Sequence, residues 1–123
     1  MPVHKHLIIR AEVNHPLVTE KSVKLWLRNL VKKIDMRIIK GPYAAYVSKE
    51  GNRGMTGIVM IETSHIAIHI WDENRPALVQ CDVYSCADFS SNEVLAEFMN
   101  MEVVKIDHMI LDRMDTIKPI GKG

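Results

Sequence analysis

Nucleophiles and proton carriers are concentrated between Thr56 and Cys86. Ser64, His65 and His69 occur within one short segment, and Cys86 ends the next apolar run. A serine can attack a carbonyl, an imidazole titrates near neutral pH, and a thiol can act as a nucleophile or an acid. A buried strand does not require these side chains, so we interpret the segment as a candidate chemical site.

The same segment has the pattern of adjacent β-strands. Residues 57–62 are a short apolar run rich in β-branched side chains. Residues 64–71 alternate, with isoleucines on one face and two histidines, an alanine and a tryptophan on the other. Residues 77–86 return as a further strand. Strict alternation places Ser64 and His69 on opposite faces, unless a bend where the strand begins re-aims the serine.

Three motifs lie in order along this stretch. They are Gly54-Met55-Thr56-Gly57, then Thr63-Ser64-His65-Ile66-Ala67-Ile68-His69-Ile70-Trp71-Asp72-Glu73, then Cys81-Asp82-Val83-Tyr84-Ser85-Cys86-Ala87. They resemble the signature of the prokaryotic S-adenosylmethionine decarboxylases, small pyruvoyl enzymes that are made as proenzymes and cut themselves. That signature runs roughly Gly-x-Ser/Thr-Gly, Glu-Ser-His-x-x-x-His-x-Trp-Pro-Glu and Val-Asp-Val-Phe-x-Cys-Gly. A weaker similarity, Lys5-His6-Leu7-Ile8, lies where the family's first strand begins.

The resemblance implies that Ser64 becomes the cofactor. Its hydroxyl would attack the carbonyl of Thr63, and the resulting ester would eliminate to dehydroalanine, which hydrolyses to a pyruvoyl group. The chain would then be cut between Thr63 and Ser64. A pyruvoyl group forms a Schiff base with a substrate amine and accepts the electrons released when carbon dioxide leaves. From the residues alone, Ser64 could instead make a local hydrogen bond at the edge of its strand.

Further roles follow from the resemblance by position. His69 is the base that drives ester breakdown, and Cys86 is the acid that reprotonates the substrate carbon. Thr56 polarises the attacked carbonyl or holds the hydroxyl in place. Glu73 matches the acidic residue that grips the ribose hydroxyls, and His65 has a supporting role. Without the resemblance, the residues favour a packed histidine at position 69, and Thr56 could be an ordinary strand threonine.

Four departures from the family pattern bear on function. Thr63 replaces the glutamate before the serine, although a threonine still presents a carbonyl to attack. Asp72 replaces a proline, and the first strand lacks the Tyr-Gly-Cys-like segment that normally follows it. Glu50 stands where the family has a phenylalanine that stacks on adenine. A carboxylate has no aromatic face, so a stacking interaction of about 1–3 kcal/mol would be absent.

Three functional hypotheses follow. The resemblance implies decarboxylation of S-adenosylmethionine, supplying aminopropyl groups for spermidine synthesis, in a homodimer of cleaved protomers. The second hypothesis keeps the pyruvoyl chemistry, but the carboxylates of Glu50 and Asp72 hold a cationic amino acid such as ornithine or arginine. In the third, the chain has lost self-processing and acts as a binding or regulatory subunit of a catalytic homologue.

Composition excludes several other classes of protein. The chain has 123 residues and a formal net charge of +1, which argues against nucleic-acid binding. No apolar run approaches the roughly 20 residues of a membrane span. Cys81 and Cys86 fall on opposite faces of one strand, so we expect reduced thiols and a cytoplasmic protein. His65 and His69 are far apart on a strand with no third ligand following, so no metal site is expected.

The elements predict one domain, residues 1–123, with the order β-α-β-β-β-β-α-β. Thr19 is a plausible N-cap for an amphipathic helix that carries apolar residues at helical spacing from Val23 to Ile34. Residues 90–93 form a capping box for a second helix. Residues 103–114 close the domain as a strand, and the tail from Lys118 is expected to be loosely held. The fold class is α/β (α+β), a two-layer sandwich of a largely antiparallel sheet with both helices on one face.

Overall fold

The computed structural model of the chain describes residues 3–122. Within this range the elements are β1 (Lys5–Val13), α1 (Glu20–Lys33), β2 (Ile38–Val47), β3 (Gly54–Ile61), β4 (Ser64–Trp71), β5 (Ala77–Ser85), α2 (Ser91–Glu97), β6 (Val103–Asp112) and β7 (Lys118–Lys122). A short 3-10 helix, Phe98–Met101, follows α2 directly.

All described strands join one sheet in the order β2-β3-β4-β5-β1-β6-β7. Every neighbouring pair is antiparallel. The first strand in the sequence therefore lies inside the sheet, between β5 and β6. The consecutive strands β2 to β5 form a meander that ends beside it. The predicted two-layer sandwich with a largely antiparallel sheet is confirmed.

Both helices pack on the same face of the sheet. Thr19 caps α1 as predicted, since its hydroxyl accepts from the backbone N–H of Ser22 at 3.0 Å. The indole N–H of Trp26 in α1 donates to the carbonyl of Glu97 in α2 at 3.0 Å. The Trp26 and Phe98 rings also pack in a T-shaped arrangement, with centroids 5.2 Å apart. These contacts place α1 and α2 side by side above the sheet.

The two faces of the sheet differ in burial. Alternate residues of β1, β3, β4 and β5 point toward the helices and form the hydrophobic core. The opposite face carries large apolar side chains that remain more than a third exposed: Ile8, Ile58, Met60 and Met109. His65 and His69 lie on this second face, because they alternate with the buried isoleucines of β4.

The end of the chain differs from the sequence-based expectation. Residues Lys118–Lys122 pair with β6 as a seventh strand, so the expectation of a loosely held tail was wrong. Proline and glycine are poor strand residues, and the segment KPIGK does not alternate. Without β7, the edge of β6 would expose unpaired backbone N–H and C=O groups. Residues Lys118–Lys122 pair with these groups, and no pattern in their own sequence indicates this pairing.

Candidate active site

Ser64 begins β4 in an unusual backbone conformation. Glu62 and Thr63 form a two-residue turn between the paired residues Ile61 and Ser64. The φ angle of Ser64 is 147°, in the region that favours glycine. A non-glycine residue held there stores on the order of 1–3 kcal/mol of strain. The strain is located next to the peptide bond that the motif predicts to be cut.

The carbonyl group of Thr63 is held by a backbone donor. The N–H of Cys86 donates to the carbonyl oxygen of Thr63 at 2.9 Å. This bond continues the β4–β5 ladder one step beyond the pair formed by Ser64 and Ser85. A backbone N–H aimed at a carbonyl oxygen also stabilises the negative charge that develops there when the carbon is attacked.

The side chain of Thr63 is held as well. Its hydroxyl oxygen lies 2.9 Å from the hydroxyl oxygen of Ser85 and 3.3 Å from the sulfur of Met36. Ser85 is completely buried. The motif comparison assigned no role to Ser85. A usable signal was present, because Ser85 is the one polar residue among the core-facing positions of β5.

The two cysteines occupy different environments. Both are free thiols. Cys81 lies in the core, where burial raises the pKa of its thiol far above the usual range, and the nearby Asp82 carboxylate raises it further. A thiol in that position stays protonated and unreactive. Cys86 is half-buried and its backbone N–H contacts the Thr63 carbonyl, so it is the cysteine that lies next to the predicted cleavage site.

Thr56 and His69 form a second group. They lie at the end of the β3–β4 pair that is opposite to Ser64. They face each other across the β3–β4 ladder, with 3.3 Å between the Thr56 hydroxyl and Nδ1 of His69. Both line a cavity of about 130 Å³ whose wall also includes Asn52 and Trp71. The motif Gly54-Met55-Thr56-Gly57 thus positions a hydroxyl against an imidazole.

Both glycines of that motif are required by packing. A Cβ at Gly54 would lie 1.7 Å from the carbonyl oxygen of Ile70. A Cβ at Gly57 would lie 2.4 Å from Cγ1 of Val23 and 3.1 Å from Cδ1 of Leu27. The first glycine therefore permits the close approach of β3 to β4, and the second permits α1 to pack on β3.

One chain does not bring all the predicted residues together. Ser64 and His69 are separated by five positions on one strand, which at about 3.3 Å per residue is roughly 16 Å. Direct proton transfer requires heavy atoms within about 3 Å. Ser64 and Cys86 lie at the start of β4, and Thr56 and His69 lie toward its end.

A loop beside the Thr56–His69 cavity contains Glu50. The two carboxylate oxygens of Glu73 accept from the backbone N–H groups of Gly51 and Arg53, each at 3.1 Å. The bond from Arg53, followed by the bond from Gly51, lowers the pKa of Glu73. The indole of Trp71 donates to Asn52 at 2.8 Å. The end of β4 thus fixes the loop, whereas Glu50 itself is exposed.

Asp72 continues this contact between the loop and the end of β4. Its backbone N–H donates to the carbonyl of Arg53 at 3.1 Å. Its carboxylate accepts a long bond of 3.4 Å from the hydroxyl of Tyr46. The carboxylates of Glu73 and Asp72 therefore take part in local structure, in addition to the binding roles predicted from the sequence.

Comparison with known proteins identifies the family. Residues 5–116 match the family model of S-adenosylmethionine decarboxylase. The chain is 30% identical over 118 residues to a protein of Archaeoglobus fulgidus called S-adenosylmethionine decarboxylase proenzyme, covering 92% of this chain and 99% of that one. A Hydrogenobaculum protein of the same name is 28% identical, covering 82% of this chain and 73% of the relative. The chain belongs to the S-adenosylmethionine decarboxylase family.

The fold agrees with this membership of a family of carboxy-lyases. A crystal structure of the adenosylmethionine decarboxylase from Aquifex aeolicus superposes with a TM-score of 0.70 at 23% identity, covering 89% of this chain and 88% of that one. The resemblance inferred from the three motifs is confirmed at the level of the family. Among residues 3–122, no helix is long and apolar enough to cross a membrane.

The sheet carries a further polar cluster on its exposed face. His6 and His65 each place Nε2 on the same carboxylate oxygen of Asp82, at 2.9 and 3.1 Å. Arg113 lies 3.2 Å from Nδ1 of His6 and stacks over the ring of Tyr84. Burial acts to raise the pKa of Asp82, but the two histidine hydrogen bonds outweigh it and the pKa is lowered. His65 thus contacts Asp82, which the motif comparison left without a role.

Proposed function

We propose that the chain is a pyruvoyl-dependent S-adenosylmethionine decarboxylase that cuts itself between Thr63 and Ser64. One observation carries the proposal: the carbonyl of Thr63 accepts from the N–H of Cys86, and the next residue is a serine held at a φ of 147°. An activated carbonyl, an adjacent hydroxyl and a strained backbone are the conditions for attack of a serine on the preceding peptide bond.

Self-cleavage would use only groups of the protein and water. The Ser64 oxygen attacks the Thr63 carbonyl carbon, the peptide C–N bond breaks, and the hydroxyl proton ends on the released amine. A base then removes the Cα proton of Ser64, and Thr63 departs with both ester oxygens as a carboxylate. Tautomerisation of the remaining dehydroalanine and addition of water release ammonia and leave the keto group at the new N-terminus of β4.

The residues at this end of the sheet fit a pyruvoyl group. Such a group supplies an electrophilic carbonyl that takes up a substrate amine and the electrons released with carbon dioxide. Cys86 adjoins Ser64 and has a half-buried free thiol. In this proposal Cys86 returns a proton to the substrate carbon. Dependence on a free thiol also supports the reducing, cytoplasmic setting expected from the sequence.

The separation of Ser64 from His69 supports a homodimer. In a two-fold dimer, the Thr56–His69 end of one copy can lie against the Ser64–Cys86 end of the other, and the symmetry makes two such sites. The exposed apolar side chains on the sheet face that carries His69 supply a surface for a second copy. His69 would then serve as the base for the Ser64 of its partner, and Thr56 would hold the attacked carbonyl or hydroxyl there.

Substrate assignment follows the names of the relatives. The proteins of Archaeoglobus fulgidus and Hydrogenobaculum are called S-adenosylmethionine decarboxylase proenzymes, and this chain covers most of each. We propose the same substrate here, with the product used for spermidine synthesis. Glu73 retains lone pairs beyond the two loop bonds, so it can also accept from ribose hydroxyls. His65 supports the site through Asp82.

The test combines intact mass with a decarboxylation assay. Denaturing mass spectrometry should find one fragment ending at Thr63 and one beginning with pyruvoyl in place of Ser64. The Ser64→Ala variant is the matched control and should remain one chain. Carbon dioxide should be released from S-adenosylmethionine and not from ornithine or arginine. A wild-type chain that stays uncut after long incubation would contradict the proposal, and release from a basic amino acid would overturn the substrate.

A further inference from the structure

A serine occupies a core position of β5 at the point where this strand meets the cleavage site. The other core-facing positions of the strand are Ala77, Val79, Cys81 and Val83, and all are buried and weakly polar or apolar. Ser85 is completely buried in the same row. A buried hydroxyl is tolerated where its hydrogen bonds are made, so the partners of Ser85 indicate why it is there.

The partners of Ser85 are Ala87, in the turn after β5, and Thr63, just before β4. Its oxygen accepts from the backbone N–H of Ala87 at 3.0 Å, and the carbonyl oxygen of Ala87 is 2.7 Å away. These contacts stabilise the turn after the strand. The Ser85 hydroxyl oxygen also lies 2.9 Å from the hydroxyl oxygen of Thr63. The Ala87 contacts alone satisfy Ser85, so the bond to Thr63 is an additional connection across the sheet.

We propose that Ser85 is a positioning residue for self-cleavage, acting through the side chain of Thr63; this inference rests on the proposed function. Ser85 holds the hydroxyl of Thr63, and the neighbouring Cys86 holds the Thr63 carbonyl through its N–H at 2.9 Å. Ser85, the last residue of β5, and Cys86, which follows it, thus fix the side chain and the carbonyl of Thr63. These two contacts set the orientation of the Thr63 carbonyl that Ser64 would attack.

The step that depends on this orientation is the first one. The Ser64 oxygen bonds to the Thr63 carbonyl carbon, the C–N bond between the two residues breaks, and the hydroxyl proton ends on the Ser64 nitrogen. Nothing is oxidised or reduced, and the product is an ester between the same two residues. Attack of this kind is sensitive to small changes in the position and orientation of the carbonyl.

The sharpest variant is Thr63→Val. It has nearly the shape of threonine, keeps the backbone carbonyl, and leaves Ser85 with both of its Ala87 contacts. Loss of one hydrogen bond that acts in the attack should slow cleavage about threefold to tenfold. Ser85→Ala should slow it by a similar factor, and the double variant should be no slower than either single one, because both changes remove the same contact.

Hydroxylamine separates positioning from a general loss of structure. It cleaves the ester and leaves a hydroxamate on Thr63 or on the valine that replaces it, whereas it does not cleave the peptide bond under mild conditions. If Ser85 positions the attack, ester formation is the slowed step, so hydroxylamine should not restore the cleavage rate of either variant. His69→Ala is the comparison, because loss of the base for elimination should let the ester accumulate and hydroxylamine cut it.

Each outcome has one meaning. Wild-type cleavage with an unslowed Thr63→Val variant would overturn the role of Ser85 and leave the proposed function standing. Slow variants that hydroxylamine cuts rapidly would also overturn it, since Ser85 would then act in elimination. An uncut wild-type chain would instead remove the proposed function itself. If Ser85→Ala fails to fold, the Thr63→Val rate and its hydroxylamine response decide alone.

Discussion

Ser64 and His69 lie on one strand, five positions and roughly 16 Å apart. Each of them lies next to a different residue of the predicted site. Ser64 adjoins Cys86 at the end of β5, and His69 faces Thr56 across β3. The fold thus divides the predicted site into two halves within one chain. Two copies can unite the halves, and this arrangement can be tested without a structure of the dimer.

Complementation between two inactive variants is the first prediction. Ser64→Ala cannot form the ester, and His69→Ala lacks the base, so each should remain essentially uncut when expressed alone. When both are co-expressed with different tags, mixed dimers should contain one complete site, because the His69→Ala chain contributes Ser64 and its partner contributes His69. Mass spectrometry should find cleavage of the His69→Ala chain alone.

The control is co-expression of His69→Ala with the Ser64→Ala, His69→Ala double variant, which supplies no imidazole and should leave both chains intact. If His69 served the serine of its own chain, the first mixture would also stay uncut. That result would refute the shared site.

Packing at Gly57 gives the second prediction. Gly57→Ala should destabilise the protein by about 1–3 kcal/mol, since its Cβ would meet Val23 at 2.4 Å. Val23→Ala makes room for the added methyl, so the double variant should be less destabilised than the sum of the two single changes. Urea unfolding measures the stability of the two single variants and of the double variant.

Gly54→Ala should not be rescued by shortening a side chain, because its Cβ would clash with the backbone carbonyl of Ile70. Strict additivity of Gly57→Ala and Val23→Ala would show that the two residues do not compete for space.

Periodicity and capping predicted most of the fold. The alternation of β4, the apolar spacing of α1 and the cap at Thr19 are local patterns that the structure preserves. The pairing of β7 was missed because its residues carry no alternation, although its partner β6 ends only a few residues earlier and Asp112 pairs with Lys118.

Within the site, the motifs nominate residues but do not give their contacts. The roles of Ser64 and Cys86 stay predictions, and alternation alone separated Ser64 from His69 by face, not by the distance along β4. The bond from Ser85 to Thr63 depends on the register between β4 and β5, which pairs Ser64 with Ser85. The same is true of His6, whose contact with Asp82 requires β1 to lie beside β5. A register across strands that are distant in sequence is fixed by tertiary packing rather than by a local pattern.

The Asp82 cluster predicts a dependence of stability on pH. Its folded pKa is lowered, so the carboxylate stabilises the fold above its unfolded pKa of about 3.9, and this contribution is lost as the pH falls through the folded value. The difference in unfolding free energy between wild type and Asp82→Asn should therefore be at its full value above about pH 5 and shrink toward pH 3. Urea unfolding across this range measures it. A difference that does not change with pH would show that the charge of Asp82 contributes nothing.

The loop containing Glu50 supplies the last prediction. Both carboxylate oxygens of Glu73 hold backbone N–H groups of this loop, so Glu73→Ala should make the amides of Gly51 and Arg53 exchange hydrogen several times faster. Glu73→Gln keeps one acceptor oxygen and should have an intermediate effect. Glu50→Ala is the matched control, because Glu50 is an exposed acidic residue of the same loop.

Acid should reproduce the effect of removing the Glu73 carboxylate. Because the pKa of Glu73 is lowered, the loop amides should stay protected until the pH falls below the usual glutamate range. If Glu73 acted on substrate alone, exchange in the free protein would be the same in wild type and Glu73→Ala. Faster exchange in Glu73→Ala would mean that part of any loss of substrate binding comes from a loosened loop. Substrate affinity in Glu73→Gln should then fall less than in Glu73→Ala.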